Sequence, residues 1–185
     1  MNIGSSSSGN SIRDRVRPAD AGELANIPWL RALAGTERRR AEAALVVGEA
    51  EPGDLVCRIG RAPTYWFGVI EGLLKMSNDN ADGTSMTYSG LPPGGWFGEG
   101  TALKREPYRY NIQALRRSLV AGLPVDDFHW LLDHSIGFNR FVMNQLRAAG
   151  PVHRRARGRP AQQPRRARGA QPGRVVQSRA VSGRG

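Results

Sequence analysis

LVCRIGRAPTYWFGVIEGLLKMS, residues 55–77, is where the chain changes from a helical to an alternating period, and the fold class follows from that change. Leu55, Cys57 and Ile59 alternate with Val56 and Arg58, and Gly60-Arg61-Ala62-Pro63 carries turn residues. Thr64–Ile70 is aromatic and β-branched, Glu71-Gly72 is a tight turn, and Leu73–Ser77 runs back.

The same pattern continues downstream. Asn78–Gly83 reads as a polar loop and Thr84–Leu91 as a strand, and Pro92-Pro93-Gly94-Gly95 interrupts the chain before Trp96-Phe97-Gly98-Glu99. Tyr110–Arg116 and Leu119–Leu123 are two further strands. About seven short strands with Gly/Pro turns predict a sandwich or barrel.

Helical spacing brackets this region. Upstream, Leu24, Ile27, Leu30 and Leu33 surround Trp29 and predict a short helix ending near Gly35. A second helix is expected from Thr36, with Thr-Glu-Arg-Arg as its cap and Ala41, Ala44, Leu45 and Val46 following; Glu51-Pro52-Gly53-Asp54 stops it. After Pro124, with Asp126-Asp127 as a cap, Phe128, Leu131 and Leu132 form a stripe. Phe138, Phe141, Val142, Gln145 and Leu146 continue it past Ser135, a second capping residue. This last helix is expected to end at Gly150-Pro151.

Charge divides the chain. The net +11 comes from residues 147–185, which hold 11 arginines and no acid, whereas residues 1–146 balance 16 basic against 16 acidic side chains. The neutral part is long enough for one domain with a core. No apolar run approaches the ~20 residues of a membrane helix. The start, Met1-Asn2-Ile3-Gly4 and Ser5–Ser8, lacks the layout of a signal peptide, so a cytoplasmic protein is expected.

One cysteine, Cys57, excludes an intramolecular disulfide, a zinc ribbon and a cysteine-ligated iron–sulfur cluster, and its alternating context predicts a small buried residue. His129 and His134 flank Asp133 five residues apart, off the i, i+4 spacing of a helical metal pair, so no metal is expected. Trp66 and Trp96 read as core. No nucleophile–base–acid set is visible, and catalysis is not expected.

Several short motifs occur in a fixed order: Glu51-Pro52-Gly53-Asp54, Ile59-Gly60, Val69-Ile70-Glu71-Gly72, then Gly94-Gly95-Trp96-Phe97-Gly98-Glu99. In that order, with strands between them, they resemble the sensor domain of Crp/Fnr-type bacterial transcription regulators over residues 24–146. The resemblance implies a mainly β fold, a double-stranded β-helix or jelly roll of the cyclic-nucleotide-binding type, flanked by α-helices. It also implies a dimerising helix, here near Ser135–Leu146, and a C-terminal helix-turn-helix that reads DNA.

In nucleotide-binding members of that family a Gly-Glu pair and a downstream Arg-Ser/Thr-Ala hold the ligand. Backbone amides freed by the glycine approach a phosphate, the arginine neutralises it, and the glutamate accepts from the ribose. Gly98 and Glu99 match, and Arg109 falls at the arginine position. Gly100-Thr101 replaces an aliphatic–small pair, and Tyr110 and Asn111 stand at the Ser/Thr and Ala positions. These departures disfavour a cyclic nucleotide, so no cofactor is expected and the effector is unknown. The competing reading makes Gly98 a tight turn and pairs Glu99 with Arg109 structurally; the residues favour it.

Residues 147–185 use only Arg, Ala, Gly, Pro, Val, Gln, Ser and His. Either they are an authentic basic arm that binds nucleic acid nonspecifically through phosphates, or they are GC-rich DNA translated out of frame. With suitable codons, Arg147–Arg157 read one base later becomes ERLGQFIAARE, which extends the apolar stripe ending at Leu146. Arg165–Gly173 likewise becomes DARVARSLA. The organisation expected is a flexible leader over 1–20, the roll with flanking helices over 21–146, and a disordered basic tail over 147–185. The helix-turn-helix would then be lost to a frameshift near codons 146–147.

Overall fold

The computed structural model describes residues 15–79 and 85–156, which form two antiparallel sheets packed face to face with helices against one of them. The mainly β jelly roll flanked by helices is the observed fold. The strands are β1 (Val16–Pro18), β2 (Val46–Ala50), β3 (Leu55–Cys57), β4 (Tyr65–Glu71), β5 (Leu74–Asp79), β6 (Ser85–Leu91), β7 (Trp96–Phe97), β8 (Asn111–Ala114) and β9 (Ser118–Pro124). The helices are α1 (Ala21–Ala25), α2 (Gly35–Ala44), α3 (Glu99–Lys104), α4 (Val125–His134) and α5 (Ile136–Ala156), with a 3-10 turn over Pro28–Ala32. One sheet has the order β1-β2-β9-β4-β7 and the other β3-β8-β5-β6.

β4 and β9 are covered on both faces, which explains why they read as apolar runs. Trp66 faces the helices, in one cluster with Trp29, Trp96, Phe128, Leu131 and Phe138, while Phe67 faces the space between the sheets with Met76, Ile112 and Val120. Trp29, Phe128 and Phe138 are wholly buried; each such side chain contributes about 2–3 kcal/mol through removal of apolar surface from water. Trp29 Nε1 and Trp66 Nε1 are buried without a conventional hydrogen-bond partner among the described residues. Aromatic rings surround them edge to face, Phe138 at 5.2 Å from Trp29 and 5.6 Å from Trp66, as aromatic quadrupoles prefer.

Several local expectations are corrected. The helix expected over Leu24–Leu33 is divided, because Pro28 offers no N–H to continue α1 and starts the 3-10 turn instead. α2 begins at Gly35, and its N-cap Ala34 makes no side-chain bond, so Thr36 is not the cap. Val46 leaves the helix and opens β2, which lies between β1 and β9 and is paired on both edges. The leader expected over residues 1–20 contains β1 at its end: Val16 pairs with Gly48 and Pro18 with Val46. Arg15 on Asp54 (2.8 Å) and Arg17 on Glu23 (2.6 Å) hold this strand down.

Downstream, Asp126 and Asp127 lie in the first turn of α4 but make no capping bond; they pair with Arg105 and Arg40. Ser135 does cap, accepting from the Phe138 amide at 3.2 Å. α5 runs through Gly150-Pro151 to Ala156. An interior proline removes one i→i−4 bond and crowds the carbonyl of residue i−4; the helix nevertheless continues past it, so the expected stop does not occur there. The leader before Arg15, the centre of the Asn78–Gly83 loop, and the tail beyond Ala156 lie outside the described residues. No described helix is long and apolar enough to cross a membrane.

Candidate functional site

Gly98 starts the site. It takes φ +84°, a left-handed conformation that a side chain disfavours, and turns the chain from β7 into α3. This is the tight turn the sequence predicts. Glu99 follows as the first residue of α3 and is 3% exposed; Ala102 N donates to Gly98 O at 2.8 Å to close the first turn. The sequence had no signal for this six-residue helix beyond the glycines that precede it.

The chain returns to the same place through Tyr108 and Tyr110. Both rings are buried, edge to face at 5.9 Å, and Arg109 between them points outward with its side chain 68% exposed. A Cβ built on Gly98 would stand 3.5 Å from the Tyr110 hydroxyl and 3.6 Å from Tyr108 Cε1. Two aromatic side chains therefore lie over the turn that leads into α3. Tyr108 Oη donates to the Tyr65 carbonyl at 3.2 Å. Burial, then the neighbouring Cys57, push the Tyr110 phenol well above its usual range; Thr101 pulls the other way and Glu99 adds to the rise.

Of the predicted residues, the fold brings Gly98, Glu99, Gly100, Thr101 and Tyr110 together. Arg109 is not with them. Its Nη2 lies 3.4 Å from Glu106 Oε2, so the structural pairing expected between Arg109 and Glu99 is replaced by a neighbour on the surface. The reason is local: burying Tyr108 and Tyr110 sends the side chain between them to the opposite side. Arg109 lines an outer depression with Ile59, Gly60, Asn78, Glu106, Pro107 and Tyr108. Asn111 Oδ1 accepts from the Ile59 amide at 3.0 Å, which ties the start of β8 to the turn after β3.

Three residues that sequence reasoning missed tie α3 to the helices. His129 Nε2 donates to Ala102 O at 3.0 Å. Arg105 ends α3 with φ +52° and holds Asp126 at 2.8 Å. Leu146 on α5 comes close to Gly100, its Cδ2 3.8 Å from where a Cβ would be. His129 stood in the sequence only as a rejected metal ligand. Among the described residues no group of three or more His, Cys, Asp or Glu is placed to hold a metal ion.

Residues 47–135 match the family model of the cyclic nucleotide-binding domain. Among solved structures the chain is similar to the regulatory subunit of a cAMP-independent protein kinase A from Trypanosoma brucei. There the identity is 21%, the TM-score 0.63, and the match covers 74% of this chain and 49% of the other. The corresponding subunit from Trypanosoma cruzi, solved bound to guanosine, has 23% identity and a TM-score of 0.58, over 74% and 46% of the two chains. The sensor domain of the transcriptional regulator DNR from Pseudomonas aeruginosa has 14% identity and a TM-score of 0.61, over 77% and 94%. These likenesses concern the fold. The chain spans about half the length of the two kinase subunits. No curated protein sequence matches it.

Proposed function

We propose that this chain is the effector-sensing regulatory domain of a Crp/Fnr-like bacterial transcription regulator whose DNA-binding half is missing. The observation that carries the reading is the close approach of Leu146 to Gly100, its Cδ2 3.8 Å from where a Cβ on that glycine would be. It joins the first turn of α3, where the roll would meet an effector, to the long helix that leaves the roll. A displacement of α3 has a direct mechanical route to α5, and His129 and Arg105 give it a second route to α4. That is the arrangement a sensor needs, and the role is regulatory rather than catalytic.

The effector of this reading is not a cyclic nucleotide. Tyr108 and Tyr110 occupy the space beside Gly98, and Arg109 is turned away from it. A phosphate could reach Gly98 only if two buried rings moved out.

In this reading residues 147–185 are the out-of-frame remainder of the gene. The eleven arginines without an acid support a second reading, an authentic arm that binds nucleic acid through phosphates. One experiment separates the two: sequencing the DNA across codons 140–160, with intact mass of the cellular protein. A single-base correction that restores a family-like helix and a helix-turn-helix supports the regulator. An uninterrupted frame with the arginine-rich tail present in the cellular mass removes it in favour of the arm.

A further inference from the structure

We infer that the outer depression between the turn after β3 and the approach to β8 binds a free aliphatic α-amino acid, a ligand with its ammonium and carboxylate on one carbon. The depression offers about 530 Å³, within the ~300–1,000 Å³ of small-molecule sites. Neither Gly98 nor Glu99 lines it, so it is distinct from the space beside the first turn of α3.

Two opposite charges stand together in it. Arg109 Nη2 lies 3.4 Å from Glu106 Oε2, and both side chains are exposed. Among the described residues, every other arginine that forms an ion pair closes one at 2.6–2.8 Å. The Arg109–Glu106 pair is the loose one. An exposed pair contributes little to stability, so its two ends can exchange partners at small cost. A ligand with a single charge leaves one end unanswered. A zwitterion laid antiparallel along the pair answers both: the guanidinium donates to its carboxylate, and its ammonium donates to Glu106.

The apolar side of the site selects the rest of the ligand. Ile59 is 42% exposed, and it borders the depression with Pro107 and the edge of Tyr108. A branched aliphatic side chain laid on this wall leaves water together with Ile59. Asn78 adds an amide that can donate and accept.

The frame is set before a ligand arrives. Gly60 N donates to Tyr108 O at 2.8 Å and Tyr108 N to Arg61 O at 3.0 Å. The Ile59 amide donates to Asn111 Oδ1 at 3.0 Å. These three bonds fix the turn after β3 against residues 106–111, so the apolar and charged walls keep their spacing. Other ligand classes fit less well. A phosphate would meet Glu106 with like charge. A divalent cation would find one carboxylate beside an arginine, too few oxygens for its shell. A peptide carries its terminal charges on different residues and cannot lay both along one ion pair.

The test is a titration of the isotope-labelled full-length chain with L-leucine, followed by amide chemical shifts. Leucine should saturate with a Kd of about 1 mM or tighter and move the amides of Ile59, Gly60 and Arg109. Isocaproate, which lacks the ammonium, and isoamylamine, which lacks the carboxylate, should each bind at least about tenfold more weakly. Arg109→Gln should weaken leucine about tenfold. Glu106→Gln should weaken leucine and strengthen isocaproate, reversing their order, and Ile59→Ser should reduce the preference for leucine over glycine. The two charged side chains are exposed, so their variants should keep the wild-type circular dichroism. No saturation by leucine up to about 10 mM, isocaproate bound as tightly as leucine, or leucine binding indifferent to Arg109→Gln and Glu106→Gln overturns the proposal. So does a leucine dipeptide bound as tightly as the free amino acid, because a peptide would then be the ligand. Shifts confined to Gly98 and α3 would move the ligand to the space beside that turn and overturn it equally.

Discussion

The hydroxyl of Tyr110 lies 3.5 Å from the position a Cβ on Gly98 would take, so a side chain of β8's approach fills the space over the first turn of α3. Tyr108 Cε1 lies 3.6 Å from the same position. The glycine that opens a path to the backbone and the rings that close it are ten to twelve residues apart in sequence.

Cyclic AMP should consequently show no saturable binding by titration calorimetry at ligand concentrations up to about millimolar, an affinity of about −4 kcal/mol. Micromolar affinity that disappears in Arg109→Ala would mean that the rings move aside and the arginine turns inward, and the account of the site would be wrong.

Gly137→Ala should destabilise the protein despite placing a better helix former in α5. The substitution brings about 1 kcal/mol of helix propensity. Against it, the added Cβ would stand 2.3 Å from the Ala32 carbonyl oxygen, a backbone atom in the 3-10 turn that cannot swing away. Overpacking of this kind costs about 1–3 kcal/mol, most of it expected at the upper end because the clash is with backbone, and a net loss of up to about 2 kcal/mol is expected in urea denaturation. An unchanged or raised midpoint would show that α5 does not press on the turn as closely as described.

Acid should release β1. Arg17 holds the Glu23 carboxyl below the usual carboxylate range, helped by the Asp20 amide and opposed by burial. The folded-state value is the depressed one. The interaction is therefore complete above the unfolded value of about 4.3 and is lost as pH falls through the lower folded value. Glu23→Gln should flatten the acid limb of stability between roughly pH 5 and pH 3. Parallel acid limbs in the two proteins, at constant ionic strength, would count against this assignment.

DNA binding should be sequence-independent and salt-sensitive. If about six phosphates are engaged, affinity should fall about a thousandfold between about 50 and about 200 mM salt. Deleting residues 157–185 removes eight of the eleven tail arginines and leaves α5 whole; nearly all binding should go with them. A competition titration in which one palindromic duplex outlasts scrambled DNA at the higher salt would reveal a reading surface on the roll itself.

The strands and the turns between them were legible because they are local. Tyr65–Glu71 is β-branched and aromatic, Gly72 marks the turn that follows it, one residue later than the Glu71-Gly72 reading, and the ordered glycine motifs carried the resemblance to a roll. β2 was not legible. It is buried from Val47 to Gly48 and again at Ala50, so it lacks clean alternation, and its partner β9 lies about seventy residues away, with Val46 opposite Gly122. β1 was hidden for a similar reason: three residues have no period, and its place depends on Arg17 finding Glu23 and Arg15 finding Asp54.

By itself the sequence determined that this chain is a roll bracketed by helices, that its charge lies in the tail, and that a left-handed turn at Gly98 leads into Glu99. These properties depend on residue type and on neighbours within a few positions, where backbone sterics and side-chain period act directly. Tertiary structure decided which side chains lie beside that turn. Arg109 stands at the arginine position of the family's motif, yet its direction was settled by the burial of Tyr108 and Tyr110 on either side of it. Removing two aromatic rings from water outweighs the freedom of one exposed guanidinium, and that competition exists only once the sheets have closed around the rings.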